Sequence, residues 1–345
     1  MKKRKSQCIE VNSIFENEII AYSKIDHPNI IKLIDFSLSP VSKPYKNSKS
    51  KKSKQVKFLA LEYAENGELM EYICKTGSFA ETTARYFFQQ LISAIEHINK
   101  KGLSHQDIKP QNIMLDAEFN LKLADFGFAT DKKVNTDIQG TLSYMAPEIL
   151  AELPYIPKQV DIFAAAVILF MMVTQRLPFL RADPDDEYYS FIIIKDFKGF
   201  WDLHAQDQPE ILNLSNKFKD FFCKIVVANG KERPKIKKIK KHPWYQKSTP
   251  THQEIYENFS YRKLVKNEEL EVEDIPNTNS IVYVLNSPEE HVKLFSDEKK
   301  EIQIALQEME KMPKKYTQYF KCRDGDFMIQ EVINFSKMNK YSHKI

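Results

Sequence analysis

Glycine is scarce in this chain. There are eight in 345 residues, and the first is Gly67. A backbone that closes tightly over a phosphate needs glycine, because a Cβ blocks the approach and restricts φ. A glycine-rich phosphate-covering loop is therefore excluded from residues 1–66. The four cysteines, Cys8, Cys74, Cys223 and Cys322, are far apart and form no CxxC pair. That excludes a disulfide framework and a cysteine zinc site, and it points to a reducing compartment. The longest apolar run, Ile162 to Val173, falls short of the ~20 residues that span a bilayer and reads as a buried core helix, so no membrane span is expected. The basic start MKKRK is followed by polar SQCIEVNS rather than an apolar stretch, so no secretory signal is expected either. A net charge of +4 is too mild to imply nucleic acid. The expected location is cytoplasmic, with nuclear access open.

The chain is 42% hydrophobic and 28% charged, enough to bury a core divided between two or more lobes. Phe15, Ile19 and Tyr22 recur at helical spacing between Asn12 and Ile25, and HPN at 27–29 stops that helix. IIKLIDF and VKFLALEY read as a hairpin interrupted by a flexible Lys/Ser-rich insertion at 42–55. Beyond residue 80, Phe87, Leu91, Ile95 and Ile98 share one helix face that ends at Lys101-Gly102. Helical patterns continue to about residue 246, so a small mixed lobe precedes a larger helical one. The basic run KIKKIKKHPW reads as a solvated helix face.

Between the two patterns lies GLSHQDIKPQNIMLDAEFNLKLADFGFAT, residues 102–130. Ile113–Leu115 and Leu121–Leu123 are short apolar strands joined by the turn-rich DAEFN, which predicts an antiparallel hairpin. Asn112 opens its first strand and Asp125 follows its second, so their side-chain oxygens converge. A few hard oxygens of this kind suit Mg²⁺, which fills its shell with water and substrate phosphate. The competing reading is a surface turn decorated with polar residues.

The ordered set His105, Asp107, Lys109, Asn112, then Asp125-Phe126-Gly127, GTLSYMAPE at 140–148 and KERP at 231–234 resembles the eukaryotic serine/threonine protein kinase family, in particular its calcium/calmodulin-dependent or AMP-activated-like group. The resemblance runs from residue 1 to 246. It implies an α+β bilobal fold, with a small incomplete β-rich lobe over 1–63, a mostly helical lobe over 64–246 and an α/β extension over 247–345. It implies transfer of the ATP γ-phosphate to Ser/Thr hydroxyls of protein substrates with Mg²⁺. Asp107 would take or orient the hydroxyl proton, Lys109 would neutralise phosphoryl charge, Thr141 would stand beside both, and Asn112 with Asp125 would hold the metal. Leu61, Glu62 and Ala64 would line the adenine hinge and Met114 would join the nucleotide set. Glu68 would meet ribose or a basic substrate residue, or else simply favour an exposed helix start. Glu148 would pair with Arg233.

The chain also departs from the family. With no glycine-rich loop, it is expected to begin near the third strand: either the true start lies further upstream, or the protein lacks two strands and is a pseudokinase or scaffold with little nucleotide turnover. Glu18 would pair with Lys2 or Lys3, unless those lysines are simply a basic terminus. Gln106 occupies the place of an arginine that grips activation-loop phosphate. The expectation is therefore a loop DKKVNTDIQ not switched by phosphate, with Asp137 pairing with Lys132 or Lys133. After residue 246, SIVYVL reads as a strand and EEHVKLFSDEKKEIQIALQEMEKM and FMIQEVINFSKM as helices. YTQYFKCRDGDFMIQEVINF is faintly similar to a kinase-associated regulatory domain whose partner the sequence does not name.

Overall fold

The computed structural model describes residues 14–44 and 53–267, with side chains over 14–39 and 57–267. Lys2, Lys3, the centre of the Lys/Ser insertion and the elements expected beyond 267 lie outside the described residues. The first helix, α1 (14–22), buries Ile19, Ala21 and Tyr22. Strands β1 (Leu33–Pro44) and β2 (Ser53–Leu61) pair antiparallel, with an irregularity between Ser37 and Val41. Both strands run further into the Lys/Ser-rich segment than its composition predicts. Backbone pairing continues from Val41–Val56 to Pro44–Ser53, because ladder hydrogen bonds ask nothing of side-chain polarity.

The loop after α1 rivets the smaller lobe to the larger. His27 Nε2 lies 3.1 Å from Ser93 Oγ, Asn29 Nδ2 donates to Leu121 O at 3.0 Å, and Ile31 N–H reaches Leu123 O at 3.0 Å. A second sheet orders β3 (Gly67–Glu68), β4 (Ile113–Leu115) and β5 (Leu121–Leu123) antiparallel. Helix α2 (Leu69–Thr76) leaves β3 directly.

The larger lobe is organised by two helices. α3 (Glu81–Lys100) turns Phe87, Phe88, Leu91, Ile92, Ile95 and Ile98 inward, all fully buried. α5 (Pro157–Thr174) is long and apolar enough by itself to cross a membrane, but 89% of it is buried inside the fold. That identifies a core helix, since a helix without a polar face must be enclosed on every side. Helices α6 (Glu187–Ile193), α7 (Phe197–Asp207) and α8 (Asn216–Ile225) pack on it, and the short helices α4 (Pro147–Leu150) and α9 (Ile236–Ile239) belong to the same lobe. Phe170 of α5 meets Phe200 at 6.2 Å and Phe222 at 5.0 Å between ring centroids.

The last described helix, α10 (His252–Lys266), opens with a capping box in which Thr251 and Glu254 satisfy each other's backbone N–H. Ile255, Phe259, Arg262 and Val265 face inward. Phe259 packs on Tyr72, Phe79, Phe87 and Phe119, and Arg262 donates to Thr76 O, Thr76 Oγ1 and Ser78 O at 2.7–3.1 Å. A cation at the carbonyl end of α2 is favoured by that helix's dipole.

Candidate active site

The β4–β5 hairpin sets the geometry. Asp116 fixes its turn by accepting the N–H groups of Glu118 at 3.1 Å and Asn120 at 2.8 Å, an Asx turn that composition alone announces. Ile113 pairs with Leu123, and Ala124 N–H donates to Asn112 O at 2.8 Å. Asn112 therefore enters and Asp125 leaves at the same end of the hairpin. Both Asn112 amide hydrogens point at Asp107, reaching its carbonyl at 2.9 Å and Oδ2 at 3.2 Å. Asn112 Oδ1, a hard acceptor, is thereby left for a cation. Asp125 is exposed, with φ at 65°.

The loop 105–109 is held from beneath by Asp161. Its carboxylate accepts the N–H groups of His105 and Gln106, each at 2.7 Å. Burial pushes the Asp161 carboxyl upward, opposed by His105 and the two amides. The His105 ring accepts Asp107 N–H at Nδ1 (3.3 Å) and donates from Nε2 to Ala124 O (2.9 Å), so its tautomer is fixed. It thus ties the loop to the residue before Asp125. Beyond it the side chains converge: Lys109 Nζ donates to Asp107 Oδ2 at 2.7 Å and to Thr141 Oγ1 at 3.2 Å, and Thr141 donates to Asp107 Oδ1 at 2.9 Å. The structure brings Asp107, Lys109, Asn112 and Thr141 together.

From the smaller lobe, α1 reaches the segment after β5. Asn17 Nδ2 donates to Gly127 O (2.9 Å) and Ala129 O (2.8 Å), and Asp125 N–H donates to the Tyr22 hydroxyl at 3.1 Å. Burial pushes the Glu18 carboxyl up to about 7; the charge of Asp125 adds to the push and the N–H of Phe126 opposes it. Phe126 lies between Tyr22 and His105, with ring centroids 4.9 and 4.7 Å away.

The hinge residues divide. Leu61 ends β2, and Ala64 is buried. The Glu62 side chain turns away from a nucleotide, with Lys122 Nζ at 2.7 Å and the N–H of Lys32 at 2.9 Å. Only its backbone remains for an adenine, because its carboxylate is held by the half-buried strand lysine Lys122. Met114 is paired with Glu68 on one side and Lys122 on the other. Glu68 is half-buried; burial and Glu71 push its carboxyl up, while Lys109 and Lys266 pull it down.

Sequence reasoning missed Tyr22, Asn17, Asn135 and Tyr155. Asn135, 2% exposed, donates to Gln106 Oε1 at 3.0 Å, and the Tyr155 hydroxyl donates to the same oxygen at 2.7 Å. Lys132 pairs with Asp137 at 2.7 Å, as the charge pattern predicts. Arg233 and Glu148 meet through two parallel bonds of 2.7 and 2.6 Å.

Residues 1–245 match the sequence model of the protein kinase domain. The chain belongs to the protein kinase domain family. Similar proteins include Serine/threonine-protein kinase SRK2H of Arabidopsis thaliana, 33% identical over 241 residues that cover 68% of this chain and 61% of the relative. Serine/threonine-protein kinase SAPK9 of Oryza sativa subsp. japonica is 31% identical, with 70% of this chain and 63% of the relative covered. Serine/threonine-protein kinase GIN4 of Saccharomyces cerevisiae is 33% identical, with 67% and 19% covered. The match thus spans about three fifths of the two plant relatives and less of the yeast one. The architecture is the bilobal kinase fold, with a small sheet-bearing lobe and a helical lobe. The relatives' names are those of serine/threonine kinases; they do not single out a calcium/calmodulin-dependent or AMP-activated-like group for this protein kinase.

Proposed function

We propose that this chain transfers the γ-phosphate of ATP to serine or threonine hydroxyls of protein substrates. The observation that carries the reading is the triangle of Asp107, Lys109 and Thr141, closed by bonds of 2.7, 3.2 and 2.9 Å and joined through Asn112 to the hairpin bearing Asp125. In that arrangement Asp107 accepts the substrate hydroxyl proton and orients the oxygen for in-line attack. Lys109 keeps its ammonium where phosphoryl charge accumulates, and Thr141 fixes both. The Asp125 carboxylate and Asn112 Oδ1 fit Mg²⁺, a hard cation content with one or two protein ligands. Among the described residues no three His, Cys, Asp or Glu gather into an all-protein metal cage. When bound, Mg²⁺ would neutralise charge on the ATP phosphates.

Adenine would lie against the hinge. There Glu62 N–H already donates to Lys32 O at 2.8 Å, so the Glu62 carbonyl and Ala64 N–H are the groups left to it. Leu61 and Met114 would supply apolar contact. Lys2 would meet Glu18, whose burial calls for a cation. The Glu68 carboxyl, half-buried, pushed up by that burial and pulled down by the charges of Lys109 and Lys266, supports a preference for substrates with basic residues. The acid, the amide and the metal carboxylate whose loss would mark an inactive scaffold are all in place.

Transfer of labelled phosphate from ATP to a basic peptide, followed by identification of the modified residue, tests the reading. The expected result is phosphoserine or phosphothreonine in Mg²⁺, reduced at least about 100-fold in Asp107→Asn, the lower range for loss of a positioned base, and abolished in Asp125→Ala. No transfer by the parent chain at any Mg²⁺ concentration would overturn it.

A further inference from the structure

We propose that Tyr22 is a positioning residue, its hydroxyl holding the backbone of Asp125 in the one conformation that aims this carboxylate at the metal. The inference rests on the kinase reading above and adds to it a residue outside the catalytic loop.

Asp125 has φ at 65°, in the left-handed region that a residue with a Cβ enters at a cost. Such a conformation persists only when its surroundings over-determine it. They do so here from a single helix. Tyr22 accepts the N–H of Asp125, and Asn17 donates to the carbonyls of Gly127 and Ala129. Three main-chain groups between 125 and 129 are thus gripped by two side chains of α1, and the grip nearest the metal carboxylate is the phenol. Tyr22 is 2% exposed, and its ring packs edge-on against Phe126. A phenylalanine would make that ring contact equally well, so packing alone does not call for the oxygen. What the oxygen adds is a partner for an amide that would otherwise turn towards water and let φ relax, taking the carboxylate with it.

The consequence is specific. Loss of the hydroxyl should weaken the part of nucleotide binding that depends on Mg²⁺ and leave the adenine contacts at the hinge intact. Tyr22→Phe removes one atom, so it is the variant of choice. Asn17→Ala loosens the same segment from a partly exposed position and serves if the first variant folds poorly. In the full chain, binding of fluorescent ADP is titrated in EDTA and again with increasing Mg²⁺, and amide exchange over 124–129 is followed without nucleotide.

The expected result is an affinity in EDTA within about twofold of the parent, a Mg²⁺ midpoint raised about five- to tenfold, and Asp125 amide exchange faster by about tenfold, the scale of one lost hydrogen bond. An unchanged midpoint and unchanged exchange in both variants would overturn the proposal. So would equal losses of affinity with and without Mg²⁺, which would mean a general loosening of the lobe. If the parent itself binds ADP no better with Mg²⁺ than without, as Asp125→Ala should, the kinase reading fails and the proposal fails with it.

Discussion

Asn135 donates its side-chain amide to Gln106 at 3.0 Å, so two neutral residues join the activation loop to the catalytic loop where a charged pair would need a phosphate. The Tyr155 hydroxyl closes the link by donating to the same Gln106 oxygen, and paired backbone bonds of 2.9 Å join Asn135 to Tyr155. Gln106 itself has φ at 68° and depends on this link and on Asp161 to stay there. Phosphatase treatment is therefore expected to leave peptide phosphorylation unchanged, while Asn135→Ala lowers it several-fold. Mass spectrometry checks the phosphate content. Activity that vanishes with phosphate from Thr130 or Thr136 would contradict the expectation.

Arg233 and Glu148 form a fork-to-fork pair whose guanidinium side chain is fully enclosed. Glu148→Ala would strand that charge and should destabilise the fold by ~3–5 kcal/mol, whereas Arg233→Met with Glu148→Leu should recover much of the loss. Urea unfolding of the three proteins measures this directly.

His204 is enclosed by Phe170, Phe200 and Tyr188 and lies 3.0 Å from Pro178 O. Burial lowers its pKa from 6.5 to about 4; the Pro178 carbonyl opposes the shift, Arg176 adds to it and Asp207 opposes it. The unfolded chain thus binds a proton at higher pH than the folded one. This contribution to stability is whole above pH 6.5 and is lost as pH falls towards about 4, at up to about 1.4 kcal/mol per pH unit. Melting temperatures between pH 7 and 4.5 should fall more steeply for the parent than for His204→Phe.

Phe259 of α10 fills the space among Tyr72, Phe79, Phe87 and Phe119. Phe259→Ala should cost ~3–5 kcal/mol, the usual range for a buried ring. A cost near zero in thermal unfolding would mean that α10 does not dock in solution.

The legible parts of the sequence were those with a short-range cause. The face made by Phe87, Leu91, Ile95 and Ile98 is wholly buried; helical period suffices to find it. The hairpin of Ile113–Leu115 and Leu121–Leu123 follows from its turn residues. What could not be read depends on contacts between residues remote in the chain. Tyr22 meets Asp125 only because α1 crosses the end of β5, and Asn135 meets Gln106 only because the activation loop folds back. The Glu62 side chain is taken by Lys122, which β5 brings across, a contact that leaves its backbone at the hinge untouched. The extent of β1 and β2 was masked by a lysine-rich composition that argues against strands while leaving their backbone free to pair.

The charge of Arg262 is met by no carboxylate at its closest contacts: its listeners are the carbonyls of Thr76, Gly77 and Ser78, a threonine hydroxyl and the Asn258 amide oxygen. None of these takes up a proton as solution is acidified, and none is easily screened by dissolved ions, being enclosed. The Arg262 anchor between α10 and α2 should accordingly hold in brine that loosens the exposed Lys132–Asp137 pair.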